Sequence, residues 1–193
     1  YIKSHRYLRD FFVLSAVLFL LISPVSFLTP LQVARSFGAE VWRLTAIEVA
    51  FSAGMILGGI IIAYWAGFKN KVHTIAFGCA AFSLLSAALG IVGNFGLYLV
   101  IMMLSGLAMP IFDTPAVVLL QQRVDADHLG RVFSVMAMIS STMLPLGMFV
   151  YGPLADIIPV EWLLVATGVL MAAESLLFLK NKALIEAGNP VDN

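Results

Sequence analysis

Long uncharged stretches separated by short polar segments dominate the chain. No residue between Asp10 and Arg35 carries a full charge, and the same is true from Val49 to Phe68. An α-helix rises about 1.5 Å per residue, so roughly 20 apolar residues cross a hydrocarbon core about 30 Å thick. These two stretches therefore predict transmembrane helices.

The rest of the chain follows the same pattern. The run from Val72 to Phe112 lacks Asp, Glu, Lys and Arg, but it is too long for one helix and is interrupted by the turn-forming sequence at 90–96. The polar segment QQRVDADHLGR at 121–131 and the DIIPVE turn at 156–161 separate two further apolar stretches. We therefore predict six spans, at about residues 11–31, 44–67, 73–91, 97–119, 132–152 and 162–179.

Composition indicates an integral membrane protein. Hydrophobic residues make up 61% of the 193 residues, charged residues 11%, and the mean hydropathy is +1.00. Soluble domains have about 45–50% apolar and 25% charged residues, so this class is excluded. The 11 basic and 11 acidic residues provide no cationic face for nucleic acid. Cys79 lies in an apolar run and is predicted to be a packing residue.

The distribution of basic residues predicts the orientation in the membrane. With six spans, both termini lie on one face, and Lys and Arg concentrate in cytoplasmic loops. The other face holds only Arg35 and Arg43. We therefore expect both termini in the cytoplasm and the spans in the plasma membrane, the inner membrane of a bacterium. The face of the termini carries nine basic residues: Lys3, Arg6, Arg9, Lys69, Lys71, Arg123, Arg131, Lys180 and Lys182.

An internal repeat relates the two halves of the chain. Span 1 contains SPVSFLTP at 23–30 and span 4 contains MPIFDTP at 109–115, and their Thr-Pro pairs are 85 residues apart. This offset places spans 1 to 3 on spans 4 to 6. Because three is odd, the second copy would cross the membrane in the opposite sense, as in many secondary transporters. The alternative is a chance coincidence of two proline-containing spans.

The prolines of the repeat suggest where a cavity lies. Each proline lacks an N–H donor and crowds the carbonyl four residues earlier, so helix breaks, either kinks or local unwinding, are expected. In lipid such breaks are tolerated only against protein or a water-filled cavity. Spans 1 and 4 are therefore predicted to line a cavity. The predicted helix-break positions are Pro24, Pro30, Pro110, Pro115 and Pro145.

Asp113 is the leading candidate for chemistry. It lies in span 4 between Pro110 and Pro115, and an acid near the centre of a membrane helix costs about 2.5–3.5 kcal/mol on insertion scales. Such a carboxyl group is a candidate for proton exchange or substrate contact. The alternative is a structural acid that holds the proline break together.

Two other acids are weaker candidates. Glu174 in span 6 has small neighbours, which favours close helix packing over function. Glu48 lies near one membrane interface, where it is expected to reach the headgroups or pair with Arg43.

Polar and flexible side chains on the proline-containing spans and on span 5 are candidates for the wall of a substrate cavity. Methionine suits varied apolar ligands, although the same residues are also typical of helix interfaces. The sequence contains no HExxH metal pair and no GxSG nucleophile, so we expect no catalytic residue, metal or cofactor. The wall candidates are Ser26, Phe27, Met109, Phe112, Ser141 and Met143.

Three stretches carry a family resemblance: MPIFDTPAVVLLQQRVDADHLGRVFSV at 109–135, LPLGMFVYGPLAD at 144–156, and GGIIIAYWAGFKNK at 58–71. With them the chain resembles the C-terminal six-helix half of a major facilitator superfamily transporter. The likeness is greatest to the drug-proton antiporter branch that includes macrolide-efflux-like proteins. The third stretch resembles the family's GxxxDRxGRR loop, but Ala63 and Tyr64 stand where Asp and Arg are expected.

The resemblance implies a fold and a function. The all-α chain would correspond to helices 7 to 12, with two inverted three-helix repeats, and an N-terminal six-helix half would precede Tyr1. Substrate would bind between the halves, and a proton gradient would drive multidrug efflux by alternating access. Spans 3 and 6 would be peripheral. Expected partners are the missing half, the lipid bilayer and a small-molecule substrate, and an isolated fragment would be prone to self-association.

Two other classes of protein remain as alternatives. A self-contained six-helix permease or channel would dimerise, with Gly54-xxx-Gly58 as a smooth interface. That glycine pair is, however, more typical of packing against another helix than of ligand binding. A membrane scaffold or sensor that transports nothing is the second alternative, but it would not need Asp113 or the proline-containing spans.

Overall fold

The computed structural model describes residues 1–190, and the last three residues of the predicted 1–193 bundle lie outside the described part. Six helices are long and apolar enough to cross a membrane, and no strand occurs within residues 1–190. The predicted all-α membrane fold is thus confirmed. The helices are α1 (Arg6–Ser36), α2 (Val41–Trp65), α3 (Lys71–Leu89), α4 (Phe95–Arg123), α5 (Ala126–Ile157), α6 (Val160–Lys180) and a short α7 (Lys182–Gly188).

Local backbone chemistry sets several helix ends. Asn70 and Asn94 accept hydrogen bonds from the first-turn amides of α3 and α4 and so cap these helices. Helix α2 ends at Trp65 because Ala66 and Gly67 have φ angles of 58° and 76°, in the left-handed region. The predicted second span therefore extends two residues past the end of α2.

The helices pack in a pattern that repeats itself. Helix α2 packs on α4, α5 packs on α1, α3 packs on α4, and α6 packs on α1, while α3 and α6 pack on each other. Exchanging α1 with α4, α2 with α5 and α3 with α6 leaves this pattern unchanged. Such an exchange is what two copies of a three-helix unit related by an internal twofold axis produce. The repeat predicted from the Thr-Pro pairs is thus present in the fold.

Hydrogen bonds identify the two ends of the bundle. At one end, which we call the terminal face, Tyr7 Oη donates to the Arg123 carbonyl and Asn181 Nδ2 donates to Asp10 Oδ2, both at 2.9 Å. At the opposite face, Arg35 Nη1 donates to the Ala155 carbonyl at 2.7 Å. The beginning of α1 and the end of α6 therefore lie on the same side of the bundle.

Helix α7 lies across the terminal face and packs on α1, α3, α4 and α6. Asn70 Nδ2 donates to the Ile185 carbonyl at 2.7 Å, and Arg123 Nε donates to the Ala187 carbonyl at 2.7 Å. A short helix thereby joins the beginning of α3 to the end of α4.

The repeat-related helices α2 and α5 are the least buried. Each packs mainly on one neighbour, and α2 buries only Ile47, Gly54, Gly58 and Ile62. Most of the surface of α2 and α5 is therefore left for lipid or for another protein surface.

Glycines allow α2 and α4 to approach at backbone distance. A Cβ atom at Gly54 would overlap the Met103 carbonyl, and one at Gly58 would overlap the Leu107 carbonyl. Gly106 of α4 would meet the Phe51 carbonyl in the same way. The packing role predicted for the Gly54-xxx-Gly58 face is confirmed, and this face is not free to serve as the interface of a six-helix dimer.

We predict that Gly58→Ala destabilises the protein by about 1–3 kcal/mol, the usual range for overpacking, because its Cβ has no space against Leu107. Gly59 is the matched control, since a Cβ there has no heavy atom within 4 Å. Gly59→Ala should leave Tm unchanged or slightly raised, given the higher helix propensity of alanine. Thermal unfolding of the two full-length variants in detergent provides the measurement, and equal Tm values would contradict the packing described here.

Candidate functional site

A cavity of about 210 Å³, which we call the main cavity, lies between α1 and α4, the two helices that carry the Thr-Pro pairs. Helices α1 and α4 form two of its walls, α2 contributes a third, and one aromatic ring of α3 closes it. Its lining residues are Ile22, Val25, Ser26 and Thr29 from α1, Glu48 and Phe51 from α2, Phe82 from α3, and Met102 and Met109 from α4.

The wall of this cavity is mostly apolar, with few polar groups. Thr29 Oγ1 donates to the Val25 carbonyl at 2.8 Å, so its hydroxyl hydrogen is already used within α1. Ser26 and Glu48 remain as the polar side chains without a hydrogen bond among residues 1–190. A mainly apolar pocket with a few polar groups is typical of sites for amphiphilic small molecules.

Glu48 does not pair with Arg43, which was one of the two roles expected for it. Arg43 Nε instead bonds Glu40 Oε2 at 2.7 Å, and its guanidinium also donates to the Phe37 carbonyl. The guanidinium carbon lies 5.2 Å from the centre of the Trp42 ring. These neighbours occupy Arg43 at the start of α2, so Glu48, more than one helical turn further along, faces the cavity without a cation.

Helices α1 and α4 run without interruption through their prolines, so the expected local unwinding does not occur. Pro24 cannot donate to the Leu20 carbonyl, but Ser23 Oγ does so at 2.9 Å. A serine hydroxyl therefore replaces the missing backbone donor, which keeps the helix intact in an apolar environment. Pro145 likewise lies within the continuous helix α5.

Asp113 lies outside the main cavity but on the same side of α4. Met102, Met109 and Asp113 are seven and four positions apart, a spacing that places them on one helix face. Asp113 borders a second, smaller cavity of about 20 Å³, together with Ser15 of α1 and Phe112 of α4. This volume is about that of one water molecule.

Asp113 makes no hydrogen bond or ion pair with any residue of the described part. The alternative role, an acid that holds the proline break together, thus lacks a supporting contact. Asp113 is exposed on the surface of α4, where its side chain is accessible to water, substrate or another protein surface.

The remaining predicted residues separate into three groups. Ser26 and Met109 line the main cavity, and Phe112 lines the small one. Phe27 is 39% exposed and lines neither cavity. Ser141 and Met143 on α5 also line neither cavity.

Glu174 belongs to the helix packing of α6. It is 3% exposed, and neither carboxylate oxygen has a hydrogen-bond partner among the described residues. It borders neither cavity.

One buried polar contact was not predicted from the sequence pattern. Tyr98 Oη donates to Gln32 Oε1, and Gln32 Nε2 donates to the Leu89 carbonyl, both at 2.8 Å. This chain of hydrogen bonds joins α1, α4 and the end of α3 about one turn beyond Thr29. It therefore fixes the spacing of the cavity-lining helices at the opposite face. The signal in the sequence was a glutamine in the uncharged stretch between Asp10 and Arg35.

The loop between α2 and α3 is held without the acid and arginine that the family pattern expects. Lys71 Nζ donates to the Ala66 carbonyl at 3.0 Å, and the Phe68 amide donates to Thr74 Oγ1 at 2.9 Å. The Phe68 ring also packs edge-on against Trp65, with centroids 4.9 Å apart. Backbone and aromatic contacts thus stabilise this loop.

The chain matches the sequence pattern of the Major Facilitator Superfamily over residues 5–190. It belongs to this family. It is also 26% identical to macrolide efflux protein A of Streptococcus pyogenes over 153 residues, which are 77% of this chain and 37% of that protein. Its identity to macrolide efflux protein A of Enterococcus faecalis is 25% over 130 residues, 65% of this chain and 39% of that protein. The matched region thus spans less than two fifths of these curated relatives.

Membership of this transporter family favours the transporter interpretation over a scaffold or sensor. It also agrees with the resemblance suggested by the three sequence stretches above. The cavity between α1 and α4 is then the candidate site of a Major Facilitator Superfamily chain.

We predict that a cysteine at position 26 reacts with small thiol reagents in the full-length protein, because Ser26 lines the cavity. Ser83→Cys is the matched control, since Ser83 is 1% exposed. In a background without other reactive cysteines, Ser26→Cys should be labelled at least tenfold faster than Ser83→Cys. Equal labelling rates would contradict an open cavity at this position.

Proposed function

We propose that this chain is the C-terminal half of a secondary active transporter that exports hydrophobic or amphiphilic small molecules. The observation that carries this proposal is the main cavity between α1 and α4 of a Major Facilitator Superfamily chain. The similarity to macrolide efflux proteins supports a macrolide-like substrate class. The proposed partner is an N-terminal six-helix half.

The chemistry of the cavity favours a particular kind of substrate. Phe51, Phe82 and Met102 provide apolar and polarisable contacts, which suit bulky ligands of varied shape. Glu48 provides one carboxylate with no cation beside it, so a basic group on the substrate would gain a charge-assisted hydrogen bond. We therefore propose an amphiphile that carries an amine.

Asp113 is the proposed proton-coupling residue. It lies one helical turn from Met109 and has no hydrogen-bond partner in the described residues, so its carboxyl group is not committed to a structural contact. The water-sized cavity between Asp113 and Ser15 offers a place for a bridging water. Proton binding at Asp113 would then alternate with substrate binding at the main cavity.

Alternating access would move this bundle against its partner half. Helices α2 and α5 leave most of their surface uncovered, which supports contact with a second bundle. The nine basic residues near the terminal face support a cytoplasmic location for both termini. Rocking of the two halves would open the cavity to one side of the membrane at a time.

A first experiment tests Glu48 in the full-length transporter. Glu48→Gln should raise the KM for a macrolide with a basic amine about tenfold, which corresponds to a lost contact of about 1.4 kcal/mol. An uncharged amphiphile should be exported by wild type and variant with similar KM values. Glu186→Gln, at an exposed position on α7, is the matched control and should change neither KM. An unchanged KM for the amine substrate in Glu48→Gln would remove Glu48 from the substrate site.

A second experiment tests Asp113. In proteoliposomes with an imposed pH gradient, Asp113→Asn should reduce uphill export at least tenfold, while exchange of substrate without a gradient continues. Asp127→Asn, at an exposed position near the start of α5, is the matched control and should behave as wild type. Unchanged pH-dependent export by Asp113→Asn would show that the proton binds elsewhere.

A further inference from the structure

A groove of about 380 Å³ lies between α1 and α6 at the terminal face, away from both cavities. Its walls are Val13 and Leu14 of α1 and Leu177 of α6, and its end is formed by Lys180, Asn181 and Asp10. The groove therefore combines apolar walls with a polar, charged end.

The groove opens on the outer side of the bundle. On α1, Val13 and Val17 are 59% and 42% exposed, and they lie on the opposite helix face from Ile22 and Ser26, which line the main cavity. Helix α5 covers another side of α1, where Gly147 approaches Ser23. The surface formed by Val13 and Val17 therefore faces away from the main cavity.

Apolar surface continues from the groove toward the middle of the membrane. Leu177 and Leu170 of α6 are each 53% exposed and lie seven positions apart, on the same face of the helix. Seven residues of helix correspond to about 10 Å along the axis. Together with Val17, these side chains form an apolar path that begins at the charged end of the groove.

The charged end carries uncommitted positive charge. Lys180 is exposed and makes no hydrogen bond or ion pair with any residue between 1 and 190. Two further basic side chains lie nearby, since Arg6 and Arg9 are four and one positions before Asp10 and are 77% and 57% exposed.

Asp10 does not cancel this positive charge. Its carboxylate accepts hydrogen bonds from Asn181 Nδ2 at 2.9 Å and from Arg9 Nε at 3.2 Å. Arg6 Nε lies 3.7 Å from the same carboxylate. The Asp10 carboxylate is thus bound by Asn181 and the two arginines, whereas Lys180 lines the groove without an ion-pair partner.

We propose that this groove is a binding site for an anionic phospholipid, whose phosphate contacts Lys180 and whose acyl chain follows Val13 and Leu177. Lipid is the occupant because the apolar walls belong to membrane-spanning helices and the basic end lies where a membrane helix meets the headgroups. A basic pocket between helices at this depth suits a phosphodiester headgroup. The site is separate from the substrate cavity, so it does not depend on the transport mechanism.

The test uses the full-length protein, purified in detergent, stripped of lipid and then incubated with one added lipid. Native mass spectrometry counts the lipid molecules that stay bound. Phosphatidylglycerol is the probe, and phosphatidylcholine with the same acyl chains is the uncharged comparison. The wild type should retain phosphatidylglycerol at least fivefold more than phosphatidylcholine. Lys180→Gln should reduce retention of phosphatidylglycerol about fivefold, as expected for one basic side chain near a membrane surface.

Lys69→Gln is the matched control, because it removes the same charge from an exposed position in the loop between α2 and α3. This variant should retain phosphatidylglycerol as the wild type does. Val13→Trp, which fills the groove without changing its charge, should lower retention as well. Equal retention by wild type and Lys180→Gln, equal loss in Lys69→Gln, or no preference over phosphatidylcholine would each overturn the proposal.

Discussion

The need to satisfy every backbone polar group inside lipid governs this structure. Water is absent from the hydrocarbon core, so each carbonyl and amide must find a partner within the protein. Continuous helices meet this need, and they do so even at prolines, where Ser23 supplies the donor that Pro24 lacks. Because the main chain is already satisfied, the remaining polar side chains of the spans are available for binding or for fixing helix positions.

Close packing between helices follows from the same constraint. Apolar side chains gain little by leaving lipid for another apolar surface, so association relies on shape and on backbone approach. The glycines of α2 and α4 permit this approach where α4 carries Met103 and Leu107. The Gln32 and Tyr98 side chains then add a directional contact between α1 and α4. The glycines thus fix the spacing of α2 and α4, and the buried hydrogen bond fixes the spacing of α1 and α4, on two sides of the main cavity.

Much of the fold was predictable from the sequence because the bilayer makes hydropathy a direct signal of helix position. The six spans and the inverted repeat required only the length of apolar runs and the offset of two Thr-Pro pairs. Site residues were harder to predict. Ser26 and Met109 were found because a proline-containing helix pair favours a cavity, but Ser141 and Met143 line neither cavity. The sequence did not show that Glu48 lacks a cation, because Arg43 pairs with Glu40 in the fold. It did not show the contact of Gln32 either, because the partner Tyr98 lies 66 residues away in the chain.

The six long helices fall into two sets according to their contact with the short helix α7. Helix α7 contacts α1, α3, α4 and α6, and its carbonyls accept hydrogen bonds from Asn70 at the start of α3 and from Arg123 at the end of α4. These four helices form a braced frame. Helices α2 and α5 stand outside it, each resting mainly along a single neighbour. A change of contact at the uncovered surface of α2 or α5 would therefore reach the rest of the bundle mainly through α4 or α1, the two helices that line the main cavity.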